Sequence, residues 1–155
     1  MAIYNLFFEQ KIPQPVEVIW DFIADPRNLR LITPPDLHME IISKNLPPVI
    51  HPGLIISYTI RPVWGINTLW LTEVKHLKEN EYFVDEQRAG PYKLWHHLHK
   101  LTPCDDYVLM SDVVTYQPPY GFLGSIANAA FIRNKLGHIF EYRRETLERK
   151  FGKVE

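Results

Sequence analysis

Thiols are almost absent: Cys104, in the turn-like "TPCDD", is the chain's one cysteine. It cannot close an internal disulfide, and any metal site must draw its ligands from other residues, which fits a reducing compartment. Nor is it set up as a nucleophile, because Asp105 and Asp106 beside it raise a thiol's pKa rather than lower it. Long apolar runs are missing as well. None approaches the ~18 residues of a membrane span, and the opening "MAIYNLFFEQKIP" has neither a basic start nor a long apolar stretch, so no secretory signal is expected. An excess of one charge is the third absence: the net charge is −1 and the pI about 6.7. Nothing here calls for nucleic acid or an acidic membrane surface as partner. A cytoplasmic chain without membrane insertion is expected.

What is present is ordinary globular composition with two accents. Of 155 residues, 46% are hydrophobic and 23% charged, enough for one domain over residues 1–155 to bury a core unaided. The accents are 13% aromatic residues and thirteen prolines. Aromatic rings give large, stiff contact area, suited to pocket walls as well as to cores.

Ile3 to Lys11 is rich in strand formers and precedes Pro13 and Pro15, so it reads as a strand. From Pro15 the period changes: Val16, Ile19, Trp20 and Ile23 make the stripe of an amphipathic helix, closed by Pro26. "PRNLRLI" reads as one more helical turn before Pro34 and Pro35. Strands follow, punctuated at about 8–12-residue spacing, the mark of an antiparallel meander. They are "LHMEIISKN", "LIISYTIRP", "NTLWLTEVKHL", "YFVDEQ", "YKLWHHLHKL" and "YVLMSDVVTY", with a turn expected on Gly65. From about Phe122 to Phe151 proline is absent. There Ile126, Ala130, Leu136, Ile139, Phe140, Arg143, Leu147 and Phe151 fall at helical spacing. "GFLG" (Gly121 to Gly124) reads as a turn into this helix, since it lacks the spacing and lysine of a phosphate loop. The basic residues after Tyr142 read as a solvated helix end suited to a C-terminus, with Tyr142 and Arg143 able to touch a pocket mouth.

Strand, helices, six antiparallel strands and one long helix make an α+β order. A sheet of about seven strands must twist and curl, and a long amphipathic helix can close its concave side, leaving a cavity between them. Particular residues also carry a resemblance. "EQKIPQPVEVIWDFIADPRNLRLITPP" resembles the opening of the START-related, helix-grip superfamily known as SRPBCC. W-x-H-x-H (Trp95, His97, His99), D-x-V-x-Y (Asp112, Val114, Tyr116), "PYGFLG" and "IFEYRRETL" resemble one branch of it. That branch is largely uncharacterised and sometimes labelled cell-division-inhibitor-like, with polyketide cyclase/dehydrase and coenzyme-Q-binding proteins as relatives. The resemblance spans nearly the whole chain and implies a helix-grip fold. It does not imply one function, because the superfamily holds lipid carriers, hormone receptors, cyclases and hydroxylase components.

The histidine-rich stretch "LWHHLHK" admits three readings. On a strand, Trp95, His97, His99 and Leu101 share one face, with the two histidines ~7 Å apart. Two neutral imidazoles could share a metal, with Asp112 or Asp85 completing a triad. No further His or Cys lies at a spacing that fixes it as a ligand, so no metal and no cofactor is assigned. The second reading pairs the histidines with aspartates or backbone on adjacent strands, which satisfies buried polar groups. The third makes them the polar end of a ligand pocket. Their companions favour the pocket: Tyr58 and Ile60; Trp70, Thr72 and Val74; Phe83, Asp85 and Gln87; Val108, Met110, Asp112, Val114 and Tyr116. A dry core would not collect Thr, two Asp, Gln, two His and Tyr on one side, whereas a pocket uses apolar walls with a few polar groups. Periodicity leaves both faces of "YFVDEQ" open, and the resemblance favours the one bearing Asp85 and Gln87.

The candidate ligand-binding residues are therefore Tyr58, Trp70, Asp85, Gln87, Trp95, His97, His99, Asp112 and Tyr116. The expected partner is a hydrophobic small molecule: a lipid, an isoprenoid or a polyketide-like aromatic. A small cyclase or dehydratase is the alternative, with His97, His99 and Asp112 in acid–base roles. No Ser–His–Asp order or paired-carboxylate motif points to catalysis, so binding stands first. A regulatory interaction module stands third.

Overall fold

The computed structural model describes residues 2–61 and 66–154. The first strand, β1 (Tyr4–Ile12), leads into helix α1 (Val16–Ile23) and a 3₁₀ segment over Pro26–Ile32. Six strands follow: β2 (Glu40–Ile41), β3 (Ile55–Ile60), β4 (Thr68–Lys78), β5 (Tyr82–Ala89), β6 (Leu94–Pro103) and β7 (Val108–Gln117). Helix α2 (Gly121–Ala127) continues through a π-helical turn (Asn128–Ile132) into α3 (Arg133–Phe151). The sheet runs β1-β7-β6-β5-β4-β3-β2 and is antiparallel throughout. This is a helix-grip α+β fold.

The meander follows from the alternation. In β6 and β7 every second residue is buried: Trp95, His97, His99 and Leu101 on one; Val108, Met110, Asp112, Val114 and Tyr116 on the other. Leu136, Phe140, Arg143 and Leu147 of α3 are buried in their turn, at the i, i+4, i+7 and i+11 spacing that one helix face provides. Gln10 and Gln14 tie the helix to the first strand, donating to the carbonyls of Arg144 (2.9 Å) and Phe151 (3.0 Å). Phe8 stacks on Phe140 at 4.2 Å between ring centroids. Two apolar clusters result. One gathers Ile12, Ile19, Trp20, Phe22 and Leu147; the other gathers Tyr58, Trp70, Trp95, Val114, Tyr116 and Phe140.

Three expectations need correction. The strand expected in "LHMEIISKN" shrinks to Glu40–Ile41. The amides of both Ile42 and Ser43 donate to the Ser57 carbonyl (2.8 and 3.2 Å), a bulge that ends the ladder, and Pro47 and Pro48 follow. The stripe of the last helix holds only from Leu136 onward: Ile126 and Ala130 are exposed. The π turn inserts one residue, which rotates the preceding face by about 100° and puts α2 out of phase with α3. Third, Arg143 is not part of a solvated helix end but is 7% exposed. "GFLG" does lead into the helix: Gly121 has φ 53°, and a Cβ on Gly124 would lie 1.9 Å from the Pro119 carbonyl oxygen. The turn expected on Gly65 lies outside the described residues.

β5 departs from simple alternation. Val74 pairs with Asp85 but His76 pairs with Val84, so Lys75 is an extra residue on β4. Across this bulge Phe83 and Val84 are both buried, while Asp85 lies on the side facing the helix.

Among the described residues, no helix is long and apolar enough to cross a membrane.

Candidate ligand cavity and its buried histidine–aspartate cluster

Between the concave face of the sheet, the first helical segments and α3 lies a cavity of ≈ 160 Å³. Its wall is mostly aromatic and aliphatic: Tyr58, Trp70, Tyr92, Trp95, Met110 and Phe140 are representative. The rings hold one another in place. Trp70 meets Tyr58 face to face at 5.9 Å and Trp95 edge-on at 5.1 Å; Tyr92 packs on Trp95 at 5.0 Å. Such offset and edge contacts stiffen a wall beyond what burial alone gives.

Antiparallel register builds the polar side. His99 stands directly across from Asp112 on β7, and His97 across from Asp85 on β5. The side chains then reach along the strands as well as across. His97 Nε2–H donates to Asp112 Oδ1 at 2.7 Å, and His99 Nδ1 lies 3.1 Å from the same oxygen. His99 Nε2 is 2.7 Å from Asp85 Oδ2, while His97 Nδ1 is 3.9 Å from it, beyond hydrogen-bond reach. The two imidazoles, expected ~7 Å apart along the strand, lean together to 3.7 Å between centroids. Phe83 stacks on His99 at 4.0 Å. Arg143 adds a cation from the helix, Nη1 to Asp112 Oδ1 at 3.4 Å, with its guanidinium 4.9 Å from the Phe140 ring centroid.

The electrostatics sort the two histidines. Burial, then the charge of neighbouring His99, pushes His97 down to about 4, against its bond to Asp112. For His99, burial is the largest single influence and pushes down. The hydrogen bonds and charges of Asp112 and Asp85 together outweigh it, so His99 is held above the usual imidazole range. Burial likewise pushes both aspartates up, and their histidine partners, helped by Arg143, hold them below the usual carboxylate range. With His99 protonated and His97 neutral, the cluster holds two carboxylates, one guanidinium and one imidazolium: a charge sum of zero in a buried site. Tyr58 is pushed up by burial and then by the Asp85 charge. The Thr72 hydroxyl eases this only slightly and stays outside hydrogen-bond geometry.

Of the nine residues singled out from sequence, Tyr58, Trp70, Asp85, Trp95, His97 and His99 border the cavity. Asp112 sits behind the histidines and reaches the cavity through them and Arg143. Tyr116 is fully buried in the aromatic cluster behind Trp95 and Tyr92. Gln87 is not on the wall. Its amide clamps Tyr92, donating to the carbonyl at 2.6 Å and accepting from the amide at 3.2 Å. Gly90 makes room for that clamp, since a Cβ there would lie 2.5 Å from Gln87 Oε1. Sequence reasoning left out Tyr92 and Phe140, and it offered Arg143 only as a residue able to touch the pocket mouth, not as a partner of Asp112. The signal for Arg143 was present: a cation inside the apolar stripe of α3, in a fold that buries two aspartates.

Three side-chain atoms of residues that border the cavity are themselves buried, without a hydrogen-bond partner among the described residues: Trp70 Nε1, Thr72 Oγ1 and Arg143 Nε. Native interiors rarely leave such groups unpaired.

No family model matches the chain, and no curated protein matches it. Solved structures do resemble it. Protein CV1439 from Chromobacterium violaceum is 12% identical, with a TM-score of 0.73 over 97% of this chain and 98% of that one. Major latex-like protein 151 from Panax ginseng is 10% identical, with a TM-score of 0.69 over 96% and 97%. Ara h 8.0201 is 16% identical, with a TM-score of 0.65 over 96% and 99%. The last two are Bet v1-like proteins, and the likeness supports a START-like helix-grip fold at identities that carry the fold alone.

Proposed function

We propose that this chain binds and carries a hydrophobic small molecule in the cavity between sheet and α3. The observation that carries this reading is the wall itself: stiff aromatic and aliphatic surface with a few polar residues among it, Thr72, Asp85, His97, His99 and Arg143. Apolar area holds a ligand's body, and a few fixed polar groups orient it. An occupant that is flat or aliphatic with one oxygen-bearing end suits this wall, as lipids, isoprenoids and polyketide-like aromatics do. Catalysis ranks behind carriage, because His97, pushed down to about 4, is a poor base near neutral pH.

Native mass spectrometry of the protein purified from its own host tests the reading. A bound organic mass, lost when Trp70 and Thr72 are replaced by Ala and Val, is the expected result. Bare protein that also fails to quench its Trp fluorescence with long-chain acids, isoprenoid quinones or polycyclic phenols would overturn it.

A further inference from the structure

We propose that Asp85, His97 and His99 form a binding site for a single divalent metal ion of the zinc class, with Asp112 as its supporting carboxylate. The inference goes beyond carriage of an organic molecule and does not depend on it.

Three features of the cluster point the same way. One is convergence: a ligand atom from each of Asp85, His97 and His99 can be chosen so that all lie within 4.8 Å of one another. Ligands about 2.0–2.1 Å from a tetrahedral Zn²⁺ stand about 3.3 Å apart. The contacts from Asp85 Oδ2 to His99 Nε2 (2.7 Å) and to His97 Nδ1 (3.9 Å) straddle that spacing. Side-chain movements of well under an ångström bring both to it.

The second is tautomer control. A metal-binding imidazole needs its far nitrogen held by an acceptor, so that the near nitrogen keeps its lone pair. Asp112 Oδ1 serves both rings, at 2.7 Å from His97 Nε2 and 3.1 Å from His99 Nδ1. His97 Nδ1 and His99 Nε2 are thereby the nitrogens on the Asp85 side. Arg143, 3.4 Å from the same oxygen, fixes the carboxylate in turn. Asp112 behind both rings with Asp85 in front of them is the arrangement of supporting carboxylate and ligand that such a site uses.

The third is access. Asp85, His97 and His99 border the cavity, whereas Asp112 does not. An ion held by those three residues has its remaining positions toward the cavity, which Thr72 and Arg143 also border. The ion takes the place of the proton between His99 Nε2 and Asp85 Oδ2, and that proton leaves to solvent. One positive charge is replaced by two, so a carboxylate, enolate or phenolate oxygen on a cavity occupant completes the coordination.

The test is Zn²⁺ titration of chelator-stripped protein by calorimetry, with Co²⁺ absorption to report coordination number. One ion per chain with micromolar or tighter affinity and a four- or five-coordinate Co²⁺ spectrum is expected. Asp85→Asn and His97→Gln should each weaken binding at least 100-fold, and Asp112→Asn about 10–100-fold. Long-range ¹⁵N NMR of the wild-type chain with Zn²⁺ gives a readout independent of variant folding. The shifted nitrogens should be Nδ1 of His97 and Nε2 of His99. Absence of binding by the folded wild-type chain overturns the proposal. So does binding that survives both ligand substitutions or leaves those two nitrogens unshifted, since the ion then sits elsewhere, for instance at the exposed His138 and Asp36. A chain that binds Zn²⁺ and no organic molecule, or the reverse, separates this inference from the carriage reading.

Discussion

Asp112 carries more of the buried electrostatics than any other residue, and Asp112→Asn measures how much. In the metal-free protein its carboxylate faces His97 at 2.7 Å, His99 at 3.1 Å and Arg143 at 3.4 Å. Replacing it by an isosteric amide leaves the packing intact and removes one negative charge from beside the buried Arg143 cation. Breaking a buried ion pair by removing one partner costs about 3–5 kcal/mol, because the other charge stays behind uncompensated. At about 2–4 °C per kcal/mol for a chain of this size, the melting midpoint should fall by roughly 6–20 °C. Urea unfolding at pH 7 in the presence of a chelator, followed by circular dichroism, gives the free energy directly. Arg143→Met in the same background should recover part of the loss, since it removes the stranded cation. An Asp112→Asn cost below about 1 kcal/mol, or additive single and double substitutions, would refute the charge balance described here.

The two histidines should also give the metal-free protein opposite pH dependences. His97 stays neutral in the fold down to about 4, so between pH 6.5 and 4 the unfolded chain takes up a proton that the folded chain refuses. That window should cost about 3 kcal/mol, and unchanged urea midpoints from pH 7 to 5 would contradict it. His99 is held above its ordinary value, so its contribution is complete below pH 6.5 and is lost as pH rises through the folded value; a His99→Phe chain should lack that decline. Phe140→Ala, which removes the ring stacked on Phe8 and edge-on to His97 at 5.4 Å, should cost about 3–5 kcal/mol in chemical unfolding. Thr72→Val removes an unpartnered hydroxyl, so its stability should change by less than about 1 kcal/mol. Gln87→Leu should release Tyr92 and cost about 1–2 kcal/mol, read as faster hydrogen exchange at the Tyr92 amide.

The sequence by itself determined the element order and the sidedness of the strands. Period-2 alternation puts His97 and His99 on one face of "LWHHLHKL" and Asp112 with Met110, Val114 and Tyr116 on one face of "YVLMSDVVTY", because side chains on a strand can point only two ways. The amphipathic spacing from Leu136 to Phe151 likewise marks the helix that closes the sheet. Local pattern failed wherever one residue was inserted or a ladder ended early. The bulge at Lys75 buries both Phe83 and Val84; the π turn rotates Ile126 out to solvent; the bulged pairing on Ser57 cuts β2 to two residues. Each is a phase shift set by a neighbouring element, and such shifts leave no trace in the shifted segment's own composition. Only the tertiary structure decided what the polar residues do. It gave Gln87 to Tyr92 rather than to the cavity, and it buried Arg143 against Asp112. It also set one carboxylate behind both imidazoles and another in front of them. Those arrangements depend on three strands and a helix meeting at distances of a few ångströms, and spacing along a chain does not encode such distances.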